Sequence, residues 1–202
     1  LPIFDLYKQI DEDTSAIKQQ IKVEKERKLA EQKRQKAAKQ AVDIIQSSDK
    51  SQSQYLVHKG LGSYLGLVNR KFMQVGNEKF PPGCTVVSLI NETNELANVQ
   101  LIRADGVKHY LAGGQKIGAF HLIEGNELIA VVEGYATGLS IHLAIGATVY
   151  CAMDCGNLLT VAEMARRRHA DSQLLICGDN DINTQGNPGK TKADQAAIAV
   201  CG

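Results

Sequence analysis

The sequence predicts an α/β protein in which a long N-terminal helix and an antiparallel α+β lobe precede a parallel sheet flanked by helices. Three observations support this fold class. Residues 14–46 contain no Gly or Pro and consist mainly of strong helix formers. Residues 55–125 hold short β-like runs separated by turn residues. After residue 126, apolar runs alternate with helical stretches, which is the pattern of parallel strands joined by crossover helices.

Length and composition describe a chain that can bury a core of its own. It has 202 residues, of which 44% are hydrophobic, and a net charge of +1. No apolar run reaches the ~18 residues of a membrane span, and residues 1–13 lack the layout of a signal peptide. The five cysteines include no CxxC pair, which argues against a disulfide framework or a zinc ribbon. We therefore expect a cytoplasmic protein that does not contact a membrane.

The predicted N-terminal helix is strongly basic in its middle. Between Lys18 and Lys39, nine basic residues stand against three acidic ones. Such a run is usually a solvated helix face, and its apolar stripe is too thin for packing on more than one side. The alternative is a basic rib that contacts the phosphates of a nucleic acid. Both interpretations remain open at this stage.

The middle of the chain predicts an antiparallel sheet built from hairpins. Its strand candidates are residues 84–90, 96–103 and 109–112, and turn residues stand between them. Residues 47–54 are polar and predict a link. We therefore divide the chain into a basic helical segment at 1–50, an antiparallel α+β lobe at 51–125 and a parallel-sheet domain at 126–202.

Acidic side chains follow the predicted parallel strands where those strands end. Glu133 follows the first strand, Asp154 the second, and Asp179 and Asp181 the third. The carboxyl ends of parallel strands share one edge of the sheet, so these acids should lie close together and repel one another. Each acid alone could instead cap a helix or turn a loop. As a set they predict a Mg²⁺ site, in which Mn²⁺ should substitute.

Two sets of motifs resemble known families. Glu133 after one strand, with Asp179-x-Asp181 after another, resembles the Toprim domain that bacterial-type primases, topoisomerases and some nucleases share. The string EGYATG at 133–138 is similar to a motif of the primases of satellite phages and conjugative plasmids, and so are MDCGNL at 153–158 and NPG at 187–189. Upstream, YLVHKGL at 55–61 and KHYL at 108–111 resemble segments of the bacterial primase polymerase core.

The resemblance implies a DNA primase catalytic core that makes short RNA primers on single-stranded DNA from ribonucleoside triphosphates. In that function Asp179 and Asp181 would hold Mg²⁺, and Glu133 would ligate a second metal ion or act as a base. Asp154 is a further candidate ligand. We expect a bacterial protein encoded by a phage, plasmid or integrated element, with its C-terminal end cut short relative to those cores. A replicative helicase or a zinc-binding module is the expected protein partner.

Basic residues near these motifs are candidates for contact with nucleotide or template. Lys108 and Lys116 precede the acidic set in the chain, and the last predicted helix begins with positive charge. The full set of candidates is Lys59, Arg103, Lys108, Lys116, Lys190 and Lys192. Three further cations, Arg166, Arg167 and Arg168, end a predicted helix, and we interpret them as favourable charges at its C-terminus.

Two other functions fit parts of the same sequence. A Toprim-type nuclease would use the same acids, and only the upstream boxes favour a primase over it. A catalytically silent DNA-binding or docking module would explain the basic helix, although the intact acidic set counts against that interpretation.

Overall fold

A helix of 44 residues, α1 (Ile3–Gln46), opens the structure. The computed structural model describes residues 3–201, with side chains from residue 17 onwards. The N-terminal part of these side chains is exposed, whereas Ala37, Ala41 and Ile44 are buried against the next sheet. The prediction of a long helix packed on one side is confirmed. No helix in the described range has both the length and the apolar character needed to cross a membrane.

An antiparallel lobe follows α1. Its elements are β1 (Ser48–Ser51), α2 (Gln54–His58), β2 (Gly66–Asn69), β3 (Met73–Val75), β4 (Glu78–Phe80), β5 (Thr85–Ile90), β6 (Leu96–Ile102) and β7 (Lys108–Tyr110). Five strands form one sheet in the order β1-β2-β5-β6-β7, and β3 and β4 form a separate hairpin. The hairpin prediction for this region is therefore confirmed.

The prediction of a polar link at 47–54 is wrong. Four of its residues form β1, in which Ser48 pairs with Asn69 and Ser51 with Gly66. The side chain of Asp49 also forms an ion pair with Arg70. An edge strand of this kind gains most from backbone hydrogen bonds, so its side chains show no apolar alternation that would reveal it.

The second sheet supplies the α/β part of the fold. Its elements are β8 (His121–Ile123), β9 (Asn126–Val132), α3 (Tyr135–Ile145), β10 (Ala147–Cys151), α4 (Leu158–Arg168), β11 (Leu174–Cys177) and α5 (Pro188–Val200). The strand order is β11-β9-β10-β8, with the first three parallel and β8 antiparallel at the edge. The three predicted parallel strands and their helices are confirmed, and the sheet gains β8 from before residue 126.

Three apolar clusters hold these layers together. The outer face of the antiparallel sheet packs against α1 through residues such as Val99 and Leu101. Its inner face shares one cluster with the parallel sheet, in which Val87 and Leu89 join Val132 and Leu139. On the far side of the parallel sheet, α4 and α5 cover the remaining apolar face. The two lobes therefore share a continuous core.

The three arginines that end α4 join separate parts of the chain. Arg166 donates to backbone carbonyls, among them those of Val200 at 2.9 Å and Ser172 at 2.8 Å. Arg167 forms a 2.7 Å ion pair with Glu92 in the β5–β6 turn. Arg168 donates to the backbone carbonyl of Glu92 and lies 5.4 Å from the ring centre of Phe120. Their interpretation as structural residues agrees with these contacts.

Candidate active site

The ends of β9, β10 and β11 are level with one another. Val132 lies opposite both Cys151 and Cys177, so the residues that follow these strands emerge at one edge of the sheet. Glu133 follows β9, Asp154 follows β10, and Asp179 and Asp181 follow β11. We call these four residues the acidic edge.

Two glycines bring the loop after β11 against the start of α5. A side chain at Gly178 would place its Cβ 2.5 Å from the carbonyl oxygen of Gly189, and one at Gly189 would collide with the carbonyl oxygen of Asp179. This close approach lets Asp181 Oδ2 accept a 3.2 Å hydrogen bond from the Gly189 N–H in the first turn of α5. Asn180 turns to a different partner and accepts a 2.8 Å hydrogen bond from Asn187 Nδ2.

Glu133 is in an environment that disfavours a charged carboxylate. Its side chain is half-buried, and its Oε2 is buried without a hydrogen-bond partner in the described part of the chain. Burial raises the pKa of this carboxyl, and the nearby charges of Asp179 and Asp181 raise it further. The Asp179 backbone and Lys108 act in the opposite direction. The structure thus brings Glu133, Asp179 and Asp181 within electrostatic reach of one another.

Asp154 caps a short turn at the end of β10. Its Oδ1 accepts a 2.8 Å hydrogen bond from the Gly156 N–H, after Met153 has adopted a left-handed backbone with φ of 66°. This is the capping role that the sequence offered as an alternative. Asp154 still lies at the acidic edge, because its charge adds to burial in raising the pKa of Tyr110 to about 12.

The donor chemistry of the edge suits a hard divalent cation. Carboxylate oxygens are the ligands that Mg²⁺ prefers, and the unpartnered Oε2 of Glu133 is an atom that a cation would satisfy. Within the described residues, no three His, Cys, Asp or Glu side chains are arranged to hold a metal ion. Asp181 Oδ2 already accepts a hydrogen bond from the Gly189 N–H, so this oxygen has a partner without a metal ion. The residues fit Mg²⁺ by chemistry, and the ligand assignment stays a prediction.

Three lysines of the antiparallel lobe lie near the acidic edge. Lys108 is close enough to Glu133 to lower the pKa of its carboxyl. Lys116 lies 4.7 Å from the ring centre of Tyr110, whose hydroxyl donates a 2.9 Å hydrogen bond to the carbonyl of Met153. Lys59 lies 6.0 Å from the ring centre of Tyr55.

Tyr55 connects its lysine to the same edge. Burial raises the pKa of the Tyr55 hydroxyl, and the charge of Asp179 raises it further. Two lysine–tyrosine pairs, Lys59 with Tyr55 and Lys116 with Tyr110, therefore flank the carboxylates. Positive charge in this position would complement the phosphates of a nucleotide or a template.

The other basic candidates already have partners. Lys190 forms a 2.6 Å ion pair with Asp194, and Lys192 donates to Gln195 at 3.2 Å, so both lie along the exposed face of α5. Arg103 forms ion pairs of 2.6 Å with Asp105 and 3.1 Å with Glu78. These contacts hold Arg103 within the antiparallel lobe, and its predicted role in binding rests on the sequence alone.

Sequence reasoning assigned no role to the tyrosines or to Asn157. Tyr55 and Tyr110 stand close to lysines in the motifs at 55–61 and 108–111, and this spacing was the available signal. Asn157 is buried and accepts a 2.8 Å hydrogen bond from the Gly118 N–H. It also donates to the carbonyls of Ala119 and Ala152 at 2.8 and 2.9 Å. It therefore ties the end of β10, and with it Asp154, to the antiparallel lobe.

Comparison with known proteins agrees with this architecture. Residues 128–201 match the family model of the Toprim domain. An Escherichia coli DNA primase TraC is 31% identical over 198 residues, which cover 93% of this chain and 18% of that protein. A second Escherichia coli DNA primase TraC is 29% identical over 185 residues, which cover 87% of this chain and 12% of that protein. The chain spans less than a fifth of the length of these relatives.

Among solved structures, the primase fragment of the bacteriophage T7 primase–helicase gives a TM-score of 0.44 at 13% identity. That match covers 72% of this chain and 55% of the fragment. The motifs at 133–138 and 179–181 lie inside the region that matches the family model. The chain therefore contains a Toprim domain and is homologous to the TraC DNA primases.

Proposed function

We propose that this chain is the catalytic core of a DNA primase, which synthesises short RNA primers on single-stranded DNA from ribonucleoside triphosphates. One observation carries the proposal: Glu133 has a half-buried carboxylate with an unpartnered oxygen beside Asp179 and Asp181. Homology to DNA primases supports a nucleotidyl transfer at this edge over other reactions of the same acids.

The roles of the acids follow from their surroundings. Asp179 and Asp181 would hold Mg²⁺, which when bound neutralises charge on the triphosphate; Mn²⁺ should substitute for it. The raised pKa of Glu133 suits it to accept the proton of the primer 3′-hydroxyl, and serving as a ligand is its alternative role. Asp154 would contribute its charge while it caps its turn.

The lysines would bind and orient the substrates. Lys108 would face the reacting phosphates, because it already acts on the Glu133 carboxyl. The flanking pairs of Lys59 with Tyr55 and Lys116 with Tyr110 would hold template or primer phosphates beside the edge. Lys190 and Lys192 would approach the triphosphate from the first turns of α5 after exchanging their present partners.

We further propose where and with which partners the chain works. The template would be single-stranded DNA in the cytoplasm of a bacterial cell, and the gene would belong to a phage, plasmid or integrated element. A replicative helicase or a zinc-binding module would deliver the template. Similarity to TraC, a named DNA primase of Escherichia coli, supports this setting.

The test is a primer-synthesis assay with single-stranded DNA, labelled ribonucleotides and Mg²⁺. We expect short RNA products from the parent with Mg²⁺ or Mn²⁺ and none with Ca²⁺ or EDTA, because Ca²⁺ takes a looser ligand shell. Asp181→Asn should abolish synthesis and leave the fold intact, because the amide oxygen still accepts from Gly189. It should slightly raise the melting temperature in EDTA, because it removes a charge that repels Glu133. Asp171→Asn, an exposed acid in the turn after α4, is the matched control and should stay active.

The same assay distinguishes the other functions. Metal-dependent cleavage of the DNA without RNA products would identify a Toprim-type nuclease. DNA binding with neither synthesis nor cleavage would identify a silent docking module. Primer synthesis by Asp181→Asn at the rate of the parent would remove Asp181 from the proposed site.

A further inference from the structure

Five lysines lie along one side of α1. With 3.6 residues per turn, positions 18, 22, 25, 33 and 36 fall within a sector of about 80° around the helix axis. All five side chains are exposed, and none forms an ion pair with another described side chain. We call them the lysine stripe: Lys18, Lys22, Lys25, Lys33 and Lys36.

The opposite side of α1 has a different charge environment. Arg27 forms a 2.9 Å ion pair with Glu24. Arg34 lines a surface cavity together with Glu31 and Glu95. On that side Arg27 is paired with a carboxylate and Arg34 shares a cavity with two, whereas no lysine of the stripe forms an ion pair with another described side chain, although Glu26 borders the stripe. Five of the nine basic residues between Lys18 and Lys39 therefore lie on the stripe.

The C-terminal end of the lysine stripe opens into a cavity of about 430 Å³. Lys33, Lys36, Gln40 and Gln74 supply side-chain donors to its wall, and no acidic residue lines it. The wall is fixed by Gly113, whose backbone has a φ of 78°. A side chain there would place its Cβ 2.8 Å from the Lys33 Cβ, so the glycine lets α1 lie directly against the loop after β7.

The lysine stripe and the acidic edge are on opposite sides of the antiparallel sheet. Ala37 and Ala41 of α1 pack with Val99 and Leu101 on the outer face. Val87 and Leu89 point to the inner face, which shares its apolar cluster with the Toprim sheet. A ligand on the lysine stripe would thus be held away from Glu133 and its neighbours.

We propose that the lysine stripe and its cavity bind the phosphate backbone of single-stranded DNA at a second site, separate from the acidic edge. A stripe from Lys18 to Lys36 is about 27 Å long, which is enough for several consecutive phosphates. Lysines bind phosphate as point charges and read no bases, so the binding is independent of DNA sequence. The choice of single-stranded DNA as the ligand rests on the proposed function.

The test compares two double variants of α1 that remove equal charge. Lys33→Gln with Lys36→Gln alters the lysine stripe, and Arg27→Gln with Arg34→Gln alters the opposite side. Binding of a fluorescent oligo-dT is measured by anisotropy across salt concentrations in EDTA, which keeps metal at the acidic edge out of the measurement. The slope of log K against log salt is negative, and each lost contact with a single strand reduces its magnitude by about 0.7. We expect the stripe variant to lose about 1.4 from this slope, which is two such contacts, and the control variant to lose less than half of that.

Equal slopes for the two variants, or an unchanged slope in the stripe variant, would overturn the proposal. Circular dichroism melts of both variants show that each is folded before its slope is compared. Primer synthesis by the parent separates this proposal from the proposed function. A selective loss of slope in a protein that makes no primers supports the second site alone, and equal slopes in an active primase refute the second site alone.

Discussion

Glu133 is in an unfavourable environment for a charged residue. One of its carboxylate oxygens is buried without a partner, and two further carboxylates lie within reach of its charge. Desolvation and repulsion both penalise the ionised form, so at neutral pH the folded protein carries a cost that the unfolded chain does not. A site that binds a cation or a proton can carry such a cost while it is empty. Removing the charge of Glu133 should therefore change the melting temperature.

We predict that Glu133→Gln raises the melting temperature at neutral pH in EDTA. The folded-state pKa of Glu133 lies above its ordinary value of 4.5. Its contribution to stability is therefore fully present below pH 4.5 and is lost as the pH rises through the folded pKa. The variant should melt above the parent at neutral pH, and the difference should shrink as the pH falls towards 4.5. The measurement is a series of circular dichroism melts across pH.

Glu127→Gln, an exposed acid at the start of β9, is the matched control for this series and should follow the parent. A Glu133→Gln protein that melts at or below the parent at neutral pH would show that the carboxylate is not under electrostatic strain. Addition of Mg²⁺ should narrow the difference by stabilising the parent, since the glutamine variant has lost the charge that attracts the ion.

The positions of the acids could be predicted from the sequence, and their contacts could not. Residues that end parallel strands must meet at one edge, which places Glu133 and Asp179 together whatever the loops do. The bond from Gly189 to Asp181 depends on how tightly the following loop folds, and that depends on two glycines distant in the chain from β9. Tyr55 and Tyr110 stand near lysines in the sequence, but a tyrosine usually packs in a core, so this spacing alone did not assign them to the site.

At the scale of elements, the last glycine of the EGYATG string explains how α3 packs. A Cβ at Gly138 would collide with the Cys151 sulfur and lie 3.2 Å from Val132 Cγ2. The glycine therefore lets the first turn of α3 press against both β9 and β10. Because only Gly134 separates Glu133 from this helix, the same contact helps to fix the carboxylate relative to the strand ends.

We predict that Gly138→Ala destabilises the protein by about 1–3 kcal/mol, because an added methyl group overpacks a tight contact between a helix and a sheet. Gly62→Ala is the matched control, since a Cβ there meets its neighbours at 3.4 Å or more and its backbone φ is ordinary. Urea unfolding followed by circular dichroism measures both variants. Equal stability of Gly138→Ala and the parent would show that α3 can shift away from β10 at no cost.

The elements that were predicted correctly share a physical property, and so do those that were missed. Helices cover the sheet that contains β9, β10 and β11. Because strands covered in this way are buried, their sequences are nearly continuous apolar runs. The strands that the sequence did not predict, β1, β2, β3, β4 and β8, have three or four residues each, and only β2 among them lies inside a sheet. A strand of that length shows too few alternations for its side chains to identify it.

At the scale of the whole molecule, the shared apolar cluster predicts a single unfolding transition. Leu89 of the antiparallel lobe and Leu139 of α3 are both fully buried in that cluster. Leu89→Ala and Leu139→Ala should each lower the free energy of unfolding by about 2–5 kcal/mol. In both variants the single urea transition should move to a lower midpoint. Tyrosine fluorescence and far-ultraviolet circular dichroism should give coincident curves, since the chain contains no Trp.

Leu65→Ala is the control for these truncations, because the Leu65 side chain is 57% exposed and its loss should move the midpoint little. Two separated transitions, or a Leu89→Ala protein in which only one probe shifts, would show that the lobes unfold independently. In that case the contacts of Arg167 and Arg168 with the β5–β6 turn would be surface attachments and not part of a common core.

The continuous core also bears on how a growing product would advance. Val87 and Leu89 on one side and Val132 and Leu139 on the other belong to one buried apolar cluster, so separating the lobes at each addition would expose apolar surface to water. If the chain extends a primer, we expect the nucleic acid to move across the two lysine–tyrosine pairs while these side chains keep their positions. The movable parts would then be the strand itself and the short loop that carries Asp179 and Asp181. Each nucleotide addition would move the substrate relative to binding residues that stay in place.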